Sequence, residues 1–233
     1  MPKSKQKKNK KKQADHTQIA CDGIRRMLFH NEIAPGQKIS YRFIAEKLGM
    51  SYTPVIQALN RLEYQGLVRH ERNCGYFTDP ISLQEIREIY ELREAVEISL
   101  LPTILKNISD GQIDQLKCLI DDAALESNFG NLNKRLMRDR EFHLTLASFS
   151  GCKIQLQVLK NLYDLLYLRY RGSLLFVTSK EIVGSEHQNI LNALITRDIK
   201  KSQEALQNHF NHIKKKALEA FSQMIDEAEM IDI

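Results

Sequence analysis

Hydrophobic positions in the N-terminal third of the chain repeat first at helical spacing and then in short alternating runs. Apolar residues three and four apart form one face of a helix. Gly49 is a residue type that accepts a positive φ angle, and Ser51 and Pro54 suit the start of the helix after it. The pattern predicts helices over 17–31, 40–48 and 51–65, followed by a β-hairpin with strands at 67–70 and 76–78.

Beyond Asp79-Pro80 the periodic segments are all helical, with short breaks between them. Antiparallel helices joined by short loops form a bundle. We therefore expect a mainly α protein, with a winged helix-turn-helix domain over 17–80 and an all-α antiparallel helical bundle over 81–233. The predicted bundle helices are 82–107, 110–127, 131–149, 153–176, 179–196 and 198–229.

Composition places the chain among ordinary globular proteins, with 42% hydrophobic and 27% charged residues. No apolar run approaches the ~18 residues of a membrane span, and no apolar stretch resembling a secretory signal follows Met1. We expect a cytoplasmic protein without a membrane partner. Its scattered cysteines then predict free thiols rather than a disulfide or zinc-ribbon framework: Cys21, Cys74, Cys118 and Cys152.

The net charge of +5 is concentrated at the N-terminus. Residues 3–12 hold seven lysines and no acid, so the rest of the chain sums to −2. Because residues 1–16 lack the apolar side chains of a core, they are expected to form a disordered tail. Such a tail either adds salt-sensitive affinity for phosphates or only aids solubility. Charge alone is therefore weak evidence for nucleic acid binding.

The order helix, short turn, helix and hairpin is that of a winged helix-turn-helix, whose second helix can enter the major groove. A purely structural trihelical domain has the same pattern. The residues themselves resemble the reader head of the GntR family over nearly all of 17–80. The matching stretches are 35–39, 44–51, 53–55, Ala58-Leu59, Leu62-Glu63, 66–68 and Asn73-x-Gly75.

The resemblance implies an arginine at the positions of Tyr52 and Ile56, so two DNA-contacting cations are missing here. Arg42 is retained. Ile56 can offer only an apolar contact, for instance with a thymine methyl group. We expect an atypical operator in double-stranded DNA and name these DNA-binding candidates: Arg42, Ser51, Tyr52, Thr53, Ile56, Arg61, Arg72, Asn73 and Gly75.

Histidines and one aspartate in the helical half form a candidate metal site. Asp139 and His143 are four residues apart and so project from one helical face. His187 and His209 lie on later helices, which in a bundle can reach the same cavity. Scattered histidines are more often surface or core residues, so the spacing alone leaves the metal open.

The helical half is also similar to the FCD-type effector domain of the FadR-like branch, in its six-helix, VanR-like form. The resemblance rests on Leu92-Arg93-x-x-x-Glu97, Asp139-x-x-Phe142-His143, Glu186-His187 with 190–193, and Ala205-x-x-x-His209. It implies a divalent metal such as Zn or Ni on Asp139, His143, His187 and His209. Coordination positions would stay open for water or a carboxylate. His212 is interpreted as an outer neighbour or simply exposed.

Arg93 is the first candidate to bind an anionic effector, because a guanidinium pairs bidentately with a carboxylate. The alternative is an intrahelical ion pair with Glu97. Arg169 and Arg171 are weaker candidates for the effector pocket.

The leading hypothesis is a homodimeric transcription regulator, not an enzyme, whose metal pocket binds a small organic acid and shifts operator affinity. One alternative is a metal- and metabolite-binding dimer that has lost specific DNA binding. A metalloenzyme is the other, though no general base is evident beside the four ligands.

Overall fold

The computed structural model describes the backbone of residues 3–80, 82–126, 132–169 and 180–231. The chain divides into two compact units, the first mainly residues up to 81, with 167–171 grouped with it, and the second mainly residues from 82 onward.

The first unit contains three helices and a small antiparallel sheet with strand order β1-β3-β2. A helix-turn-helix followed by a hairpin confirms the predicted winged fold. The elements are α1 (Lys3–Phe29), β1 (Lys38–Ile39), α2 (Tyr41–Leu48), α3 (Tyr52–Tyr64), β2 (Arg69–Glu71) and β3 (Gly75–Phe77).

Local capping defines the turn between α2 and α3. The side chain of Ser40 accepts a hydrogen bond from the backbone N–H of Phe43 at 3.3 Å, which caps α2. Gly49 ends α2 with φ of 62°, a left-handed conformation that costs glycine little. Ser51 precedes α3 in extended conformation, but its hydroxyl makes no capping hydrogen bond. The Ser51 hydroxyl is therefore not used to start the helix.

The core of the first unit forms where α1 packs on α3. Apolar side chains from both helices and from the segment after α3 are fully buried. Burying each such side chain contributes about 1.5–3 kcal/mol, which fixes the orientation of α3. The residues are Ile24, Val55, Leu59, Leu62 and Leu67.

Two features of this unit differ from the sequence predictions. The first helix begins at Lys3, where composition predicts a disordered tail. Lysine has a high helix propensity, and an anchored helix extends more easily than a new one nucleates. The second difference is β1, which the hydrophobic pattern does not predict and whose two residues pair with Tyr76 and Phe77 of β3. A strand of two residues shows no alternation and exists only through that pairing.

The second unit contains six α-helices within the described residues, as predicted. α7 is followed by a π-helical turn, Leu165–Arg169. Residues 170–176 of the predicted fourth bundle helix lie outside the described part. The helices are α4 (Leu83–Asn107), α5 (Asp110–Glu126), α6 (Leu132–Ser148), α7 (Lys153–Asp164), α8 (Lys180–Ile195) and α9 (Ile199–Ile231).

In the bundle, α9 packs against α4 and α8, and α5 packs against α6 and α8. Leu100, Ile104, Phe210 and Phe221 are among the fully buried apolar residues. Within the described residues no helix is both long and apolar enough to cross a membrane. The bundle also buries several ionisable side chains, which is costly unless they are paired. These are Arg93, Glu97, Asp139, His143, His187 and His209.

Candidate metal centre and nucleic-acid interface

Four buried side chains from three helices meet at the centre of the bundle. Asp139 and His143 project from α6, His187 from α8 and His209 from α9. One potential ligand atom from each residue lies within 4.8 Å of the other three. The structure thus brings together the four residues that the sequence analysis singles out.

Three imidazole nitrogens and a carboxylate oxygen face one another in this cluster. Nε2 of His143 lies 3.1 Å from Nε2 of His209 and 3.6 Å from Oδ1 of Asp139. Nε2 of His187 lies 3.3 Å from the same oxygen, yet it is buried without a geometrically acceptable hydrogen bond to any described residue. A buried polar atom normally has a partner. A cation bound among these atoms would provide it.

Two glutamates determine which nitrogen of each imidazole faces the cluster. Oε2 of Glu97 lies 2.6 Å from Nδ1 of His143, and Oε2 of Glu186 lies 3.0 Å from Nδ1 of His209. An ionised carboxylate only accepts hydrogen bonds, so each Nδ1 carries the proton and donates it. The lone pair of each Nε2 is then directed inward, the arrangement found behind metal-bound histidines.

Burial and charge place the cluster in the protonation states that ligation needs. Burial lowers the pKa of His187, and it lowers that of His209 to about 4 despite the nearby Glu186. For Asp139, burial opposes ionisation, but the adjacent imidazoles of His187 and His143 and the positive charge of Arg93 leave its pKa well below the usual value. At neutral pH His187 and His209 are therefore neutral and Asp139 is ionised.

The donor set fits a borderline divalent metal. Three imidazoles and one carboxylate suit zinc, nickel and related ions. Metals that accept five or six ligands would keep positions open beyond these four. The buried Asp/His cluster could thus hold a metal that still binds a further oxygen ligand.

Glu186 should support metal affinity without binding the metal. Oε1 of Glu186 lies 2.6 Å from Nδ1 of His212. Burial alone would raise the pKa of Glu186, but His209 and His212 hold it below its usual value. We expect Glu186→Gln to weaken Zn²⁺ binding about 10–100-fold, the usual effect of losing such an outer carboxylate. Competition with a chromophoric chelator measures the Zn²⁺ affinity of the variant. Exposed Glu204 on α9 provides the matched control, and equal affinities of Glu186→Gln and Glu204→Gln would contradict this role.

Arg93 of α4 lies in the same buried network as the metal candidates. Its Nε is 3.7 Å from Oε1 of Glu97, and its Nη2 donates to the hydroxyl of Tyr163 on α7. The guanidinium carbon lies 3.9 Å from the centre of the Tyr163 ring. Arg93 is only 1% exposed. The structure thus contains the intrahelical ion pair between Arg93 and Glu97, which the sequence leaves open as the alternative to a role of Arg93 in effector binding.

The other effector candidates lie at the edge of the described chain. Arg169 ends the π-helical turn and its side chain is not described, while Arg171 lies outside the described residues. The structure adds Tyr163 to the network, a residue that sequence reasoning missed. No spacing signal marks it, because it meets Arg93 only across the packed helices α4 and α7.

Most of the DNA-binding candidates lie on the surface of the winged helix. Arg42 is exposed on α2, and Ser51, Tyr52 and Thr53 are exposed at the start of α3. Ile56 follows one turn later and is half-buried. These positions form the N-terminal part of the helix that a helix-turn-helix inserts into the major groove.

Of the wing candidates, Arg72 and Asn73 are exposed and Gly75 is half-buried, whereas Arg61 is exposed at the other end of α3. Arg72 and Asn73 form the hairpin turn, in which Asn73 has φ of 64° and Gly75 φ of 106°. Arg61 lies near the end of α3, and its Nη1 donates to Gln18 of α1 at 3.1 Å. That contact places Arg61 beside α1 rather than with the exposed residues at the start of α3.

Comparison with known families identifies the class of both units. Residues 17–77 match the model of the gntR family of bacterial regulatory proteins, and residues 88–212 match that of the FCD domain. The FCD match alone covers more than half of the chain. This protein belongs to the GntR family of transcriptional regulators and carries an FCD effector-binding domain.

Relatives agree with this assignment. The chain is 22% identical over 194 residues to an uncharacterized HTH-type transcriptional regulator, YdhC, of Bacillus subtilis, covering 81% of this chain and 85% of that protein. It is 25% identical over 191 residues to the HTH-type transcriptional repressor RspR of Escherichia coli, covering 82% and 83%. These relatives are transcriptional regulators, not enzymes.

Solved structures show the same fold. McbR/YncC of E. coli superimposes with a TM-score of 0.74 at 19% identity, covering 88% of this chain and 98% of that one. A putative GntR transcriptional regulator from Rhodococcus sp. RHA1 gives a TM-score of 0.68 at 19% identity, covering 88% and 99%.

Proposed function

We propose that this regulator binds a divalent metal through Asp139, His143, His187 and His209, and that a small carboxylate is its effector. The observation that carries the proposal is the convergence of the four ligand atoms within 4.8 Å, in a buried site. Isolated buried imidazoles and carboxylates are costly, and a shared cation offsets that cost. The FCD domain is the part of the chain that binds effectors in this family.

The residues around the cluster have separate tasks in this proposal. Asp139, His143, His187 and His209 would hold the metal, which when bound would supply a Lewis acid for a carboxylate oxygen of the effector. Glu97 and Glu186 hold the proton on Nδ1 of His143 and His209 and so fix the orientation of both rings. Arg93, whose Nε lies 3.7 Å from Oε1 of Glu97, is the guanidinium of this buried network that would pair with an anionic effector.

The winged helix supplies sequence-specific binding to a double-stranded operator. α3 offers Ser51, Tyr52, Thr53 and Ile56 to the major groove, while Arg42 of α2 meets the phosphate backbone. The wing adds Arg72, Asn73 and Gly75. A homodimer would place two such helices on the two halves of a symmetric operator.

Elemental analysis together with native mass spectrometry tests the metal proposal. The purified full chain, stripped with a chelator and refilled with Zn²⁺ or Ni²⁺, is expected to hold one metal ion per chain. Because the effector is anionic, a panel of mono- and dicarboxylates should raise the melting temperature of the refilled protein only. Absence of bound metal after refilling would contradict the four-ligand site, and equal stabilisation of stripped protein would contradict the metal-anchored effector.

A further inference from the structure

The exposed face at the start of α3 carries no charge. Residues 51–60 contain neither an acidic nor a basic side chain. Tyr52 is 53% exposed, Thr53 is exposed and Ile56 is half-buried. Tyr52 and Ile56 are four positions apart, so they lie one above the other on the same face. This face therefore presents an aromatic ring, aliphatic groups and uncharged hydroxyls.

No cation on α3 is placed to recognise guanine from this face. Arg61 is the first charged residue of the helix, nine positions after Tyr52 and thus on the opposite side of the helix axis. Its guanidinium donates to Gln18 of α1. The bidentate contact between arginine and guanine, the commonest specific contact to DNA, is thus not available from α3.

The two amide side chains of this part of α3 are engaged within the protein. Oε1 of Gln57 accepts a hydrogen bond from the hydroxyl of Thr17 at 2.9 Å. Oδ1 of Asn60 accepts one from the hydroxyl of Tyr76. A bidentate contact with adenine uses both the oxygen and the nitrogen of an amide. Both residues are therefore committed to positioning α3 against its neighbours.

The ring of Tyr52 is held in place by the preceding helix. Its centre lies 5.7 Å from that of Tyr41, with the two rings at 78°, an edge-to-face pair. The guanidinium of Arg42 lies 6.0 Å from the Tyr41 ring. The Tyr41 ring therefore fixes the position of the Tyr52 ring on this face. The positive charge of Arg42 lies beside the face, on α2.

We infer that the N-terminal half of α3 recognises thymine through its C5 methyl group, with Ile56 as the specificity-determining residue and Tyr52 packed beside it. Thymine is the base that presents an apolar group in the major groove. The inference rests on the proposed operator binding. It assigns sequence selection to apolar contacts, and it leaves the phosphate contacts to residues outside α3.

The test begins with selection of binding sites by the full chain from a random duplex library at moderate salt. Each thymine of the enriched site is then replaced by deoxyuridine, which removes the methyl group and keeps the base pair. At the thymines that α3 contacts we expect the affinity to fall about fourfold, the effect of exposing one buried methyl-sized group. Ile56→Ala should bind the thymine and uracil sites equally, while Ile56→Val should keep the preference.

The outcomes separate this inference from the proposed function. An enriched site that binds equally well with uracil, or a difference that persists in Ile56→Ala, would overturn thymine recognition and leave operator binding intact. Failure to enrich any sequence would overturn both, and would favour a regulator that has lost specific DNA binding. Tyr64 near the end of α3, which is 95% exposed, provides the matched control, and Tyr64→Ala should keep the full preference for thymine.

Discussion

Replacing His143 with alanine is expected to abolish the stabilisation of the protein by zinc. In the unsubstituted chain, Zn²⁺ at one hundred times its Kd should stabilise the folded state by about 2.7 kcal/mol. His143 is fully buried, and its Nε2 lies 3.1 Å from the corresponding atom of His209. Losing a direct ligand should weaken metal binding more than the roughly 10–100-fold typical of an outer carboxylate.

The measurement is the difference in melting temperature with and without Zn²⁺, so a general loss of stability does not affect it. His212 on α9 provides the control, because it is half-buried and bonds Glu186 without joining the four ligands. His212→Ala should keep most of the zinc-dependent shift. A full shift in His143→Ala would contradict the proposed ligand set.

Arg93→Met should destabilise the metal-free protein by about 3–5 kcal/mol, the cost of breaking a buried ion pair by removing one partner. Glu97 is 3% exposed, and burial alone would raise the pKa of its carboxyl group. His143 and Arg93 together hold that pKa below its usual value. Without Arg93, the buried negative charge of Glu97 keeps its hydrogen bond with His143 but loses its guanidinium partner. Urea unfolding monitored by circular dichroism gives the change in free energy.

Arg140 of α6 allows a matched comparison. It lies 3.4 Å from Asp164, but its side chain is 32% exposed, so Arg140→Met should cost less than about 1 kcal/mol. Adding Glu97→Gln to Arg93→Met should recover part of the loss, since the unpaired charge is then removed. Similar small costs for Arg93→Met and Arg140→Met would show that the buried pair contributes little.

The metal candidates could be predicted because their signal is local. Asp139 and His143 share a helical face at a spacing of four, and the family pattern names His187 and His209. The hydrogen bonds of Glu97 to His143 and of Glu186 to His209 could not be predicted from the sequence, although both glutamates lie in the matching motifs. Which nitrogen of an imidazole a carboxylate bonds is decided by helix packing, and no periodicity encodes it.

Contacts between distant segments account for the remaining differences. β1 forms only through pairing with β3, and Tyr163 reaches Arg93 only across two packed helices. Arg61 stays a DNA-binding prediction, and its hydrogen bond with Gln18 of α1 joins helices that are far apart in sequence. α1 begins at Lys3 although the composition of residues 1–16 predicts disorder. A prediction from composition alone takes no account of the helix that continues from this segment.

The four ligands are contributed by helices that are far apart along the chain, and His209 follows Asp139 by 70 positions. A metal bound to all four would act as a cross-link that closes two loops, one from α6 to α8 and one from α8 to α9. Closing loops of this length reduces the entropy of the unfolded chain. Fraying of α9 would then require release of the ion, so amide hydrogen exchange along that helix would report metal occupancy.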